Sequence, residues 1–534
     1  MGKSDIPTES LPATQAIQDA GLNRRSFLLR AGALGLSALA FESLLAACNT
    51  PNPTPIATAT ATATATPTPT VPPPRATSTP RPTATPRPSA TPTPTPALPA
   101  PDLELTRIGH LLRRAGFGAS QADYNQFSAM GLSATVDYLL DYESVDNSDL
   151  DRRLASVELD LTRLGDLQQW WLLRMVYTKR PLQEKMVLFW HGHLTSSFKR
   201  TGQGPFMHTQ NELFRAHALD NYDVLVKAVS RDPAMLIWLD SQSNNKRAPN
   251  ENYSRELMEL FTMGLGNYTE VDVRESARAF TGWGLQQRKF TFNTNAHDYD
   301  TKQFLGKTGN FDGDDIADII LDHPATADFM CRKLFAFFAY DDPEPEVIAP
   351  LTATFKSSGY SIKAVVREIL TSPAFYSAKA YRTKIKSPTD LVVGAFHSLA
   401  LETDGRAMRG MTDIMGQSLF APPNVSGWEG GEAWINSSTL LQRLNFVNIV
   451  ATARNQRLQF DPVKLLLLGG ISSPEEALDY FAFLLLDGTM PEEERRVLQA
   501  YLASLDDRFG TQGADEKLRS LAYLVMASPE YQLA

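Results

Sequence analysis

Cysteine is almost absent from this chain: Cys48 and Cys331 are the only two among 534 residues. A disulfide framework is therefore excluded, and the fold has to stand on an apolar core. A surplus of positive charge is absent too. The chain carries 51 basic and 60 acidic side chains, and residues 102–534 hold 44 against 56. An acidic body repels phosphate backbones, which excludes nucleic acid as a partner. No G-x-S-x-G, H-E-x-x-H or phosphate-loop signature occurs, so the familiar hydrolase and nucleotide chemistries have no address here. There is no uninterrupted apolar run of membrane-spanning length; the longest candidate, Ala31–Ala47, is broken by Glu42.

What is present begins with an address. "NRRSFLLRAGALGLSALAFESLLAAC" (23–48) resembles a twin-arginine export signal, with Arg24 and Arg25 followed by Phe27, Leu28 and the apolar run. Leu45-Ala46-Ala47-Cys48 resembles a lipobox, in which the Cys48 sulfur is acylated and becomes the mature N-terminus. Residues 1–47 are thus expected to be a lipoprotein signal peptide. The product would be exported and lipid-anchored at the cell membrane or cell surface. Twin-arginine export carries folded proteins, which leaves room for a cofactor loaded beforehand. Residues 48–101 follow as a lipidated cysteine and an Ala/Thr/Pro-rich stalk. Proline blocks helix there, and no apolar period exists to build a core, so this stretch is expected to be disordered.

From 102 to 534 the apolar spacing is helical. "LGDLQQWWLLRMVYTK", "ATADFMCRKLFAFFA", "IKAVVREILTS" and "EEALDYFAFLLLDG" all show it. Thr269 and Asp272 form a capping box, and Pro324 sits just inside the helix that follows Asp322. Alternating strands are scarce; "KFTFN" at 289–293 is the best arm of a short hairpin. The expectation is an all-α body with at most a short β-hairpin, and with room for a C-terminal subdomain from about 386.

Three stretches carry more polar chemistry than a plain helical core needs. In "FWHGHLTSSFKR" (189–200), His191 and His193 are candidate metal ligands, which would suit a divalent cation. A helix that ran on through Gly192 would set them about 200° apart, unable to share a ligand. Only a helix stopping at Gly192 would let both rings converge; each ring also suits a core or capping role. In "PNENYSRELMELFTMGLGNYTEVDVRESARAFTGW" (249–283), Asn252, Glu256 and Glu259 form a polar stripe beside the apolar one. Glu256 and Glu259 are candidate catalytic carboxylates, or members of an ion-pair network with Arg274 and Arg278. His297, followed by Asp298, is a candidate acid/base. In "GQSLFAPPNVSGWEGGEAWINSSTLLQR" (416–443), paired prolines and tryptophans make a rigid loop. Asn424, Trp428, Trp434 and Asn436 would be a pocket wall or contact surface, or would plug the core.

"HLLRRAGFG" (110–118), "FWHGHLTSS", "NENYSRELMELFTMG", "ARAFTGW" and "PPNVSGWEGGEAWINSS" together resemble the bacterial domain-of-unknown-function family 1800, in order and across the whole body. The resemblance implies a large, mostly helical exported domain. It also implies a frequent genomic neighbour, an exported protein similar to phosphatases and sulfatases, as a partner. It implies no activity, so no catalytic residue is carried over from it. On residue chemistry, the first expectation is an extracytoplasmic, metal-dependent enzyme. In it His191 and His193 would be ligands, Glu256 or Glu259 a ligand or general base, and His297 an acid/base. The alternative is a non-enzymatic surface binding or assembly protein.

Overall fold

The structure is a computed structural model that describes residues 103–455, 458–471, 473–503 and 512–534. The chain divides into two units, 1–96 and 97–534. The first, with the expected signal (Arg24, Arg25), lipid site (Cys48) and most of the stalk, lies outside the described residues. Among those described, no helix is long and apolar enough to cross a membrane.

The second unit is mostly helical. Elements used below are α1 (Glu104–Arg114), α2 (Gln121–Met130), α3 (Leu164–Tyr177), α4 (Pro181–His193), α5 (Gly204–Ala216) and α6 (Pro233–Trp238). After them come α7 (Asn252–Glu256), α8 (Glu270–Ala279), α9 (Pro324–Phe338), α10 (Pro388–Ser398) and α11 (Ser437–Thr452). Local sequence sets many of their starts. Ser120 with Asp123, Thr269 with Asp272, Ser387 with Asp390 and Asn436 with Thr439 form capping boxes, each satisfying amides that the first turn leaves unpaired. Proline opens α4, α9 and α10, where its missing N–H costs nothing. The apolar faces meet in one core that extends from Ile108 to Tyr531.

The expected hairpin forms: Trp283–Gln286 pairs antiparallel with Lys289–Phe292. Gln287 and Arg288 between them both have positive φ, as a two-residue turn of matching twist requires. A second hairpin, Lys302–Phe304 with Lys307–Gly309, and a small sheet of Glu402–Thr403, Arg454–Asn455 and Leu458–Gln459 complete the described strands.

The "HLLRRAGFG" segment explains itself as structure. Arg114 donates to the carbonyls of Phe337, Phe338 and Ala339, capping the end of α9. Arg113 and Arg382 both reach the buried Asp487, as does the Tyr124 hydroxyl. Burial alone would raise the Asp487 carboxyl; the two guanidinium groups hold it down, at about 2. This cluster ties α1 to residues more than three hundred positions later.

Candidate functional site

The first stretch is decided by one geometric fact: α4 runs through Gly192 to His193. The two imidazoles therefore leave opposite sides of one helical turn. His191 is buried among Trp171, Phe420 and Trp428, and its Nε2 accepts the backbone N–H of Phe420 at 3.0 Å. The lone pair on that nitrogen is already used. His193 stacks on Phe189 and bonds through Nε2 to the carbonyl of Phe261 at 2.9 Å, so this nitrogen carries the proton. Burial lowers both rings to about 3; for His193 the nearby Lys333 adds to the effect. Both imidazoles are neutral at physiological pH.

The second stretch supplies the Phe261 carbonyl. α7 passes directly into a π-helical turn, Leu257–Thr262, in which Met263 N–H bonds five residues back to Met258. The Phe261 carbonyl is among the last of this helix, where internal donors run out; His193 and the Tyr222 hydroxyl take their place. Glu259 accepts the Tyr268 hydroxyl at 2.8 Å. Glu256 is half-buried, and burial together with the Glu259 charge raises its carboxyl. Asn252 is exposed. Arg278 turns instead to Asp298 and Glu275, each at 2.8 Å. His297 is buried between Phe292 and Tyr299 and bonds to the Thr281 carbonyl at 2.8 Å. Among the described residues, no three His, Cys, Asp or Glu side chains stand where they could hold one metal ion. His191, His193, Glu256, Glu259 and His297 are thus neighbours of different partners.

The third stretch docks on the first. Phe198 N–H bonds to the Phe420 carbonyl at 2.8 Å, and the Thr195 hydroxyl to that of Val425. Gly427, at φ +81°, lies so close to the Gly192 carbonyl that an added Cβ would stand 2.3 Å from it. Asn424 closes its own turn onto Ser426 N–H, and Asn436 caps α11. Trp434 is buried; Trp428 is half-buried against His191. The three stretches do come together, at the end of α4, but they meet through backbone groups rather than through a shared set of acids and imidazoles.

A cleft with titratable side chains lies elsewhere, in residues that sequence reasoning left out. It has a volume of about 390 Å³ and is walled by Phe117, Phe127, Tyr138, Tyr177, Phe396 and Leu401 among others. At its base Asp123 accepts from His397 Nε2 at 2.8 Å, and His397 Nδ1 faces the Val176 carbonyl at 3.0 Å. Both ring nitrogens face acceptors, so both carry protons and the ring is a cation. Burial works against that charge, but the Asp123 carboxylate outweighs it and the pKa is raised. Asp123 in turn is lowered: burial would raise it, and His397 and Ser120 more than offset this. Ser120 donates to the same Asp123 oxygen rather than to the imidazole. The order is serine–aspartate–histidine, which does not activate a serine nucleophile. A close backbone approach shapes the wall: a Cβ on Gly394 would meet the Phe117 carbonyl at 2.6 Å.

A family model for proteins of unknown function matches residues 110–533. The chain belongs to the DUF1800 family. No curated protein and no solved structure matches it. The DUF1800 match begins at His110, the first residue of the segment that holds Asp487 and caps α9, and it ends beyond Asp487 itself. It therefore takes in every hydrogen bond and ion pair described above.

Proposed function

We propose that this DUF1800 protein is an exported, lipid-anchored surface protein whose body binds a small ligand with an apolar or aromatic group in the cleft over Asp123 and His397. Export and anchoring rest on Arg24, Arg25 and Leu45-Ala46-Ala47-Cys48, and residues 50–101 are the stalk. Binding rests on one observation: an aromatic-walled cleft holds a charged pair whose imidazole has both nitrogens bonded within the protein. Such a ring neither gives nor takes a proton without breaking a bond, so the site suits holding better than turnover. The metal-dependent enzyme, with His191, His193, Glu256, Glu259 and His297 in its site, has less behind it, because those side chains answer to different partners. The exported phosphatase- or sulfatase-like neighbour is the proposed protein partner, with exposed Asn424 and half-buried Trp428 on the contact loop.

The ligand test uses the full-length protein and the apolar anionic dye anilinonaphthalene sulfonate. Gln126 lines the rim and is exposed, so Gln126→Trp obstructs the cleft without touching the core. Saturable dye fluorescence should be lost in the variant; equal fluorescence sinks the cleft as the site. Cys48→Ala should abolish incorporation of labelled fatty acid. Label that still enters the variant removes the anchor.

A further inference from the structure

One imidazole joins three walls of the aromatic cleft. Asp123 belongs to α2, Val176 to the last turn of α3 and His397 to the last turn of α10, and all three line the cleft. His397 Nε2 reaches Asp123 at 2.8 Å, and Nδ1 reaches the Val176 carbonyl at 3.0 Å. Val176 stands where α3 has no further amide to offer its carbonyls, so the ring takes the place of the missing donor. Beside it the Tyr177 hydroxyl donates to the Leu401 carbonyl at 3.2 Å, so the end of α3 and the segment after α10 meet here.

Only the imidazolium can make both bonds, because a neutral ring has one N–H and one lone pair. The proton facing the Asp123 carboxylate is held by charge, so the one lost first is on Nδ1. A lone pair then faces the Val176 oxygen, and a buried helix-end carbonyl is left without its donor. The charge balance changes as well. The Asp123–His397 pair is neutral as a whole, and both side chains are 25% exposed where they line the cleft. Once the ring is neutral, the base of the cleft holds an unbalanced carboxylate. An apolar group that covers the base takes water from it, which costs far more over a lone charge than over a pair. Both changes weaken a ligand held there. Among the described residues, Asp123 is the charged group in contact with the ring. Lys179 and Glu402 also line the cleft, but Lys179 is closed on Asp149 at 2.6 Å and Glu402 on Arg153 at 2.9 Å, both at the surface. Burial pushes the Tyr177 hydroxyl up to about 12, the Tyr138 hydroxyl donates to the Lys179 carbonyl at 3.3 Å, and the Ser120 hydroxyl donates to Asp123.

We propose, on the reading that this cleft holds a ligand, that His397 is a proton-operated clamp on it: the imidazolium ties α2, α3 and α10 together around the ligand, and loss of its Nδ1 proton frees Val176 and releases the ligand. Asp123 sets the operating range. Burial works to lower the ring, and the Asp123 carboxylate raises it by more. The clamp is therefore closed below the ordinary imidazole value near 6.5 and opens as pH rises through the raised folded value. The linkage is reciprocal, so a ligand that prefers the imidazolium raises its pKa further and takes up protons as it binds.

Titration of the full-length protein with the uncharged dye N-phenyl-1-naphthylamine, from mildly acidic to mildly alkaline pH, tests this. The dye keeps its charge state across that range, so a change in affinity belongs to the protein. Affinity should fall by roughly threefold to tenfold as pH rises, the size of one hydrogen bond's contribution. His397→Gln keeps a donor for Asp123 without a titrating ring and should give a flat profile. Asp123→Asn removes the charge that holds the proton, so the midpoint of the fall should move to lower pH. A flat wild-type profile overturns the proposal, as does a fall that persists in His397→Gln or a midpoint unmoved in Asp123→Asn. Gln126→Trp tells failure of the clamp from failure of the site. Dye binding that this variant leaves intact removes the cleft as the dye's site, and hydrogen exchange then decides on the clamp. Exchange in residues 172–178, corrected for the intrinsic effect of pH, should quicken over the same range in the wild type and not in His397→Gln. Exchange that does not quicken overturns the clamp.

Discussion

The Phe261 carbonyl takes two side-chain donors, His193 Nε2–H at 2.9 Å and the Tyr222 hydroxyl. Both hold the end of a π-helical turn against α4. Each donor alone leaves the oxygen bonded. His193→Ala should cost about 1–3 kcal/mol, since it also removes stacking on Phe189, and Tyr222→Phe about 1 kcal/mol. The double variant should cost more than the sum, because only then does the buried carbonyl lose both donors. Urea unfolding of the four proteins measures this. Strict additivity would mean that the carbonyl finds another donor.

The histidines also fix a pH dependence. His191 and His193 have folded values of about 3, against an unfolded value near 6.5. Between those limits the unfolded chain binds more protons, so stability falls as pH drops through that window. His397 runs the other way. Its pKa is raised, so its contribution is fully present below about 6.5 and is lost as pH rises through the folded value. The urea midpoint should therefore fall from pH 6.5 towards 4, less steeply in His193→Gln. His397→Asn should flatten the profile on the alkaline side. A wild-type midpoint that rises on acidification contradicts the neutral burial of His191 and His193.

Much of the helical architecture is legible from the chain because its signals are local. The Thr269–Asp272 box, the proline opening α9 and the 289–293 strand each need only a few residues. The π-helical turn is not legible: "NYSRELMELFTMG" keeps an ordinary helical period, and the donors that stabilise the wider turn come from α4 and Tyr222. The Asp123–His397 pair is hidden for a related reason, since its members lie 274 positions apart. The residues of the three singled-out stretches were legible as unusual, but their partners are backbone groups of distant loops, which no side-chain pattern announces.

Asn436 was a candidate pocket wall, and it caps α11 through the Thr439 N–H at 2.9 Å. A cap and a wall make different demands. Asn436→Ala should lower stability by about 1 kcal/mol, while Asn436→Asp or Asn436→Ser should retain most of it. Dye binding to the Asp123–His397 cleft should be unchanged in all three. Thermal unfolding alongside the dye titration checks both. A loss of binding with normal stability would return Asn436 to a ligand role.

Gly192 and Gly427 lie against each other, yet alanine should act with opposite sign at the two positions. Gly192 is inside α4, and a Cβ there meets nothing within 4 Å. Glycine in a helix interior carries a large entropy loss, so Gly192→Ala should stabilise by about 0.5–1 kcal/mol. Gly427 combines φ +81° with a Cβ position 2.3 Å from the Gly192 carbonyl. The left-handed backbone alone costs a side chain about 1–2 kcal/mol, and the contact forces the loop off the helix end. Gly427→Ala should therefore destabilise by more than 1 kcal/mol and should loosen Trp428 from His191. Urea midpoints give the two signs, and tryptophan emission, shifted to the red in Gly427→Ala, reports the loosened loop. A stabilising Gly427→Ala would show that the 416–443 loop does not rest on α4.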